Sequence, residues 1–259
     1  MTHPTTGCGA SIGLPFELTP QALDEFDGTV MQHILSDTAA IAIDCSGLNH
    51  ISAAQIALLL RACHMAKHGG AAVALPGASV GLIRVLRAVE VHDYFDAEVS
   101  GWPQDHLTTE PCELRGQVLT HDFTLASEPI DCAASKLSSF LCRAGGDEAH
   151  TFEWNTIFHE WIALLQAISE LDSSKQVNLI ASTSSECMSV SIMDPGEPLN
   201  LCDRITNVEF REAIEAQNRP AMCMALVQRL VDSITYERSN ETNAHTLEKC
   251  LFRSQETES

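Results

Sequence analysis

Between Ala39 and His68 the chain writes out a strand, a tight turn and a helix in direct succession. Ala39 to Ile43 is short, apolar and partly β-branched, as a buried strand should be. The turn Asp44-Cys-Ser-Gly-Leu-Asn-His-Ile51 follows. Ser52 with Gln55 three residues on fits a capping box, so the helix is expected to start at Ser52. Gly69-Gly70 supplies its C-terminal stop. A helix start carries unpaired N–H groups and partial positive charge, which suits an anion.

The flanking segments repeat this alternation. Thr19 caps a helix with Pro20 in its first turn, running to about Leu35. Ala71–Leu75 is the next strand, Pro76-Gly77 turns, and Ser79 caps a helix through Ala88. Strands separated by helices predict an α/β domain with a mixed sheet and helices packed on it. Ser11–Leu18 supplies one opening strand. Trp102-Pro103, Thr108-Thr109-Glu110-Pro111 and Gly116 are turn and linker residues. The expected division is therefore a domain over 1–100, a linker over 101–116, a second domain over 117–253 and a tail over 254–259.

In the second half Gln117–Ala126 reads as a strand, and Cys132–Arg143 as a helix ending at Gly145-Gly146. Phe152–Leu171 is a long amphipathic helix, with Ile157, Trp161, Leu164, Leu165 and Ile168 at helical spacing. Trp154 and Trp161, seven apart on one face, read as core. Val177–Ala181 and Met188–Ile192 form a hairpin-like pair of strands. Ala221–Val231 is a helix whose Met222 and Met224 read as packing, and Ser233–Glu237 and Thr246–Phe252 close as strands.

Composition excludes several classes. The formal net charge of −20 repels phosphate backbones and argues against direct nucleic-acid binding. A basic protein surface is the more natural complement, with plain solubility as the alternative. No apolar run reaches the roughly 18 residues of a membrane span. The N-terminal Met1-Thr-His-Pro-Thr-Thr-Gly carries no signal-peptide pattern, so a cytoplasmic location is expected. The ten cysteines are scattered without a C-x-x-C pair and are expected to stay reduced. Cys63, His64 and His68 come nearest to a metal set, but no third hard ligand is evident, so no metal is expected.

Asp44, Ser46, Gly47, Ile51, Leu59 and Leu60 match the pattern of STAS domains, the antagonists of anti-sigma factors, and residues 14–98 resemble that family. There a serine at the start of this helix takes a phosphate. Here Ala53 stands at that position and has no hydroxyl, Ser52 replaces the preceding Asp, and Gln55 replaces a glycine. Ser52 is read first as a plain N-cap. The alternative is a switch residue that has taken the phosphoacceptor role one position early.

Asp194-Pro-Gly196-Glu-Pro198-Leu-Asn200 looks like the adenine-binding motif of the GHKL-type ATPase domain of serine-kinase anti-sigma factors. The element order over 117–253 is similar to that family, which implies an α/β sandwich. In the family the Asp accepts the adenine amino group, and the Gly lets backbone approach the ring. The long helix of the family carries Glu-x-x-x-Asn. Glu160 fits the Glu that activates the attacking hydroxyl, but Leu164 stands where Asn would hold Mg²⁺, and leucine offers no oxygen. The family's glycine-rich lid corresponds to Arg219-Pro-Ala-Met-Cys-Met224, which has no glycine. His159-Glu160 resembles the His-Glu pair of histidine-kinase helices, without the second helix of that pair.

Phosphoryl transfer depends on positioning and metal charge. With both parts altered, the resemblance implies no catalytic residue, no cofactor, and disfavoured ATP and Mg²⁺ binding. Asp194 and Gly196 remain as residual nucleotide-binding residues, and Glu160 as the catalytic residue if the domain is active. The expectation is a non-catalytic partner-switching regulator. Its partner would be a sigma factor, a STAS protein, or a cognate kinase or phosphatase, and a homodimer is compatible with this. The alternative is a divergent ATP-dependent protein-serine kinase acting on a STAS serine.

Overall fold

A computed structural model describes residues 11–36, 38–102, 114–126, 128–168, 174–204 and 209–250. The chain divides into two compact units, Met1–Asp105 and His106–Ser259. Cys8, Cys112, most of the expected linker, the end of the long helix near Leu171 and the tail lie outside the described residues.

The first unit runs β1 (Ile12–Gly13), α1 (Pro20–Leu35), β2 (Ala40–Asp44), α2 (Ala53–His68), β3 (Ala72–Ala74), α3 (Val80–Ala88) and α4 (Ala97–Ser100). Its three-stranded sheet has the order β1-β2-β3, and both pairings are parallel. This corrects the mixed sheet expected from the sequence. Each strand reaches the next through a helix, α1 and then α2, and such a crossover brings the chain back in the same direction.

Sequence signals at the helix ends explain where these helices begin. The Thr19 hydroxyl accepts the Ala22 N–H, and the Ser79 hydroxyl accepts the Leu82 N–H. Gly69 closes α2 under a tight constraint, since a Cβ there would lie 2.2 Å from Cγ2 of Ile34 on α1. Ile41, Ile43, Ile56, Leu59, Leu82, Ile83 and Leu86 are wholly buried and form the core. Trp102 packs on Phe95 and donates its indole N–H to the Leu75 carbonyl at 3.4 Å, so the first unit's core extends past α4.

The second unit runs β4 (Gln117–Thr124), α5 (Ile130–Ala144), α6 (Glu148–Ile168), β5 (Gln176–Thr183), β6 (Cys187–Asp194), α7 (Leu201–Arg204), α8 (Phe210–Glu215), α9 (Arg219–Leu230), β7 (Ser233–Ser239) and β8 (Thr242–Cys250). The five-stranded sheet has the order β4-β5-β6-β8-β7, antiparallel throughout. Burial alternates along β5, β6 and β8, so one face is packed and the other half-open. Val177, Leu179, Val190, Ile192 and Leu247 point into the packed face. α6 crosses that side and is buried on nearly every face, with Trp154 at 1% exposure and Trp161 at 0%. It packs on α5 and α9, and its Phe158 and Trp161 rings meet Phe123 of β4 and His245 of β8.

The cysteines require a second correction. Cys187 and Cys250 form a disulfide, although 63 residues separate them in sequence. They are register partners on β6 and β8, so the sheet itself places them side by side. Cys45, Cys63 and Cys223 are buried thiols, whereas Cys132 and Cys142 are exposed.

Candidate functional site

Two constellations carry polar groups that the cores do not require. The first lies where β2 gives way to α2. Asp44 is exposed at the strand end, and its carboxylate accepts the Ser46 N–H at 2.9 Å. Hydrogen bonds from the Ser46 side chain and backbone hold its pKa below the usual value. Behind it, burial and then the Asp44 charge push the Cys45 thiol up to about 12.

At the helix start both halves of the capping box form. Ser52 Oγ accepts the Gln55 N–H at 3.1 Å, and Gln55 Oε1 accepts the Ser52 N–H at 2.9 Å. The Ser52 hydroxyl also reaches Gln55 Oε1 at 3.2 Å, so it is engaged as acceptor and donor. Gln55 is 4% exposed, and its amide donates to the Pro15 carbonyl at 3.0 Å. Ala53, at the phosphoacceptor position of the resembled pattern, is wholly buried. Sequence reasoning missed Phe16, which is 71% exposed and flanks the Gly47 turn. Nothing local singled it out, because Phe16 stands in the mostly apolar run Ile12-Gly-Leu-Pro-Phe-Glu-Leu18.

Ser52→Ala is expected to cost about 1 kcal/mol, the usual worth of an N-cap hydroxyl. Urea unfolding followed by circular dichroism checks this, and an unchanged midpoint would remove Ser52 from the capping role.

The second constellation gathers at the end of β6. Asp194 is wholly buried, and its Oδ1 accepts the Gly196 N–H at 3.0 Å and Asn243 Nδ2–H at 3.1 Å. Its Oδ2 is buried without a hydrogen-bond partner among the described residues. Gly196 is required by this closeness, because a Cβ there would meet Asp194 Oδ1 at 2.6 Å. Asn243, paired with Asp194 in the β6–β8 register, is the hub. Its Nδ2 also donates to the Glu197 carbonyl at 2.9 Å. Its Oδ1 accepts from Leu199 N at 3.3 Å, Tyr236 Oη at 2.9 Å and Arg238 Nη1 at 2.7 Å. Arg238 further donates to the Gly196 carbonyl at 3.1 Å. The Asp194–Leu199 loop is thus pinned by the protein's own side chains.

His245 sits beside this network, with ring centroids 5.3 Å from Trp161 and 5.0 Å from Tyr236. Burial lowers its pKa, opposed by the Asp194 charge and a backbone group of Leu199. Between its folded value and about 6.5 the unfolded chain binds more protons, so stability rises with pH there. Stability of the second unit should therefore fall as pH drops below about 6.5. His245→Phe should flatten that slope, read as the denaturation midpoint across pH 5–8.

Glu160 and Leu164 lie one turn apart on α6, at 3% and 0% exposure. Glu160 faces α9: after burial, its charge and its hydrogen bond are the next causes that push the Cys223 thiol upward. Arg219–Met224 forms the opening turns of α9, capped by Asn218 on the Ala221 N–H at 3.1 Å. Ala221, Met222, Cys223 and Met224 are buried there. His159 lies 3.5 Å from an Asp131 carboxylate oxygen. Sequence reasoning found Asp194 and Gly196 but not Asn243 or His245. Their signal was polar residues at alternate positions of a strand whose next member, Leu247, is apolar and buried.

For metal ligation, the His64 and His68 rings meet at 3.1 Å between Nε2 atoms on α2. Cys63 beside them is buried, and its thiol is pushed up to about 12 by burial. Among the described residues, Cys187, Glu248 and Cys250 converge as a three-residue group. With their sulfurs joined, the two cysteines offer no thiolate. Among the described residues no helix is long and apolar enough to cross a membrane.

A model of the STAS domain matches the chain from Leu14 onward, through β2, the Ser52 cap and α4. Residues 14–106 are a STAS domain. STAS domains generally mediate protein–protein interactions, and a domain of this kind suggests a role in anti-sigma-factor antagonist or partner-switching systems. No curated protein matches the chain. Within this STAS domain the sequence pattern and the geometry meet at one place, the Asp44–Gln55 turn and cap.

Proposed function

We propose that the chain is a non-catalytic, cytoplasmic regulator that works by partner switching. Its STAS domain and a degenerate GHKL-type second unit would bind a sigma factor, another STAS protein, or a kinase or phosphatase of the same system. The observation that carries this reading is the cap of α2. A wholly buried Ala53 occupies the phosphoacceptor position, and the neighbouring Ser52 hydroxyl is taken up by Gln55. A STAS domain without a free acceptor hydroxyl keeps its binding surface and loses the chemical release.

The second unit supports the same direction. Helices α5 and α6 against the sheet, with α9 packed on α6 and an Asp-x-Gly turn after β6, suit the ATPase-like reading. Leu164 supplies no oxygen for Mg²⁺. Arg219–Met224 is committed to a buried helix start, not to a loop of N–H groups around phosphate. Linking two units that recognise one another's partners would raise their effective concentration to the millimolar range for a short tether.

The test combines nucleotide and partner. The full chain is heated with and without Mg-ATP, and ligand binding would raise its midpoint. It is then incubated with radiolabelled ATP and the host's STAS proteins, and paired by calorimetry with the host's sigma factors, STAS proteins, kinases and phosphatases. The expected result is an unmoved midpoint, no label transfer and saturable binding to one of these classes. Label on a STAS serine would establish the divergent kinase and overturn the proposal.

A further inference from the structure

The β6–β8 ladder is clamped at both ends. At one end Asp194 and Asn243 are register partners joined by a side-chain hydrogen bond of 3.1 Å. At the other end Cys187 and Cys250 are register partners joined by a disulfide. Both cysteines are only half-buried and lie on the open face of the sheet, where small reagents reach them. The neighbouring residues on that face are Ser189, Glu248 and Ser233, with Ser233 Oγ 3.4 Å from a Glu248 carboxylate oxygen. Cys45, Cys63 and Cys223 are buried, and burial, joined at Cys45 by Asp44 and at Cys223 by Glu160, holds their thiols un-ionised, so they compete poorly in thiol exchange.

We propose that Cys187 and Cys250 are a reversible dithiol–disulfide switch that responds to low-molecular-weight thiols of the glutathione class and sets how firmly the last strand is held. In reduction, a thiolate attacks one sulfur, the Cys187–Cys250 bond breaks, and the other cysteine leaves as a thiolate that takes up a proton. A second thiolate then attacks the small-molecule sulfur of the mixed disulfide and frees the remaining cysteine, which is protonated in turn. The protein gains two electrons and two protons, and two small thiols become one disulfide. The oxidised form closes a loop of about 64 residues, which removes entropy from the unfolded chain. Reduction leaves the Asp194–Asn243 clamp in place and lets β8 loosen from its Cys250 end.

The experiment uses the full chain equilibrated in buffers of graded reduced-to-oxidised glutathione ratio. Thiols are trapped by alkylation, and peptides holding residues 187 and 250 are read by mass spectrometry. The expected result is that both residues titrate together with a two-electron slope inside the buffer range. The oxidised protein should melt about 10 °C above the reduced one. Amide exchange should rise on reduction near Lys249 and stay slow at Asn243. A Cys187→Ala/Cys250→Ala variant should melt like the reduced protein at every ratio, which separates this pair from exposed Cys132 and Cys142. A pair that stays bonded at every ratio, or open at every ratio, would overturn the proposal, as would equal melting of the two forms. None of these results depends on which partner the chain binds.

Discussion

Asn243→Ala will destabilise the second unit by about 3–5 kcal/mol, because each buried partner it abandons costs about 1–3 kcal/mol. The wholly buried amide makes hydrogen bonds to Asp194, Glu197, Leu199, Tyr236 and Arg238. Deleting it leaves Asp194 Oδ1 with only the Gly196 N–H, and strips the Glu197 carbonyl and Leu199 N–H of these bonds. Asn243→Leu separates hydrogen bonding from volume. It fills the space and restores no bond, so it should cost nearly as much as alanine. Asn243→Asp keeps the acceptor but sets a second carboxylate against Asp194, and should fare no better. Urea unfolding read through tryptophan emission is the measurement, since Trp154 and Trp161 both report from α6 in this unit. A leucine variant within 1 kcal/mol of the parent would reduce Asn243 to a space-filler.

The contrast between Ser52 and Asn243 explains what the sequence could disclose. Thr19, Ser52 with Gln55, Ser79 and Gly145 all sit at the helix ends that their side chains or backbone favour. Such signals are local: the partner lies within a few residues, so the pattern is written in order along the chain. The Gln55 amide bond to Pro15 spans 40 residues and leaves no local trace. The same holds for Asn243 on Asp194 and for Cys187 on Cys250, which depend on β8 pairing with β6 and not with a sequence neighbour alone. Strand direction in the first unit is hidden from the sequence for a related reason. Hydrophobic runs mark strands, whereas the connection through α1 and α2 decides that β1, β2 and β3 run parallel. The short helices α7 and α8 leave no legible pattern, because four and six residues hold too little periodicity.

Lys249→Met will destabilise the second unit by about 3–5 kcal/mol, the cost of leaving a buried charge without its partner. The Lys249 ammonium lies 2.8 Å from a Glu153 carboxylate oxygen, with side-chain exposures of 15% and 6%. Glu153 is on α6 and Lys249 on β8, so the pair ties the central helix to the strand held by both clamps. An exposed bridge would be worth under about 1 kcal/mol, which makes burial the deciding factor. The double variant Glu153→Leu/Lys249→Met removes both charges and should recover most of the loss, or exceed the parent. The four proteins form a double-mutant cycle in urea, and a large coupling energy is expected. If Lys249→Met alone cost under 1 kcal/mol, Glu153 would have water or another cation within reach when Lys249 is removed. If the double variant failed to recover, the pair would owe its place to net stability. Recovery instead assigns it a fixing role. Hydrophobic side chains alone would let α6 slide on the sheet, whereas a single buried ion pair accepts one position of the helix. That position also sets where Trp161 meets His245 at the edge of the Asp194 network.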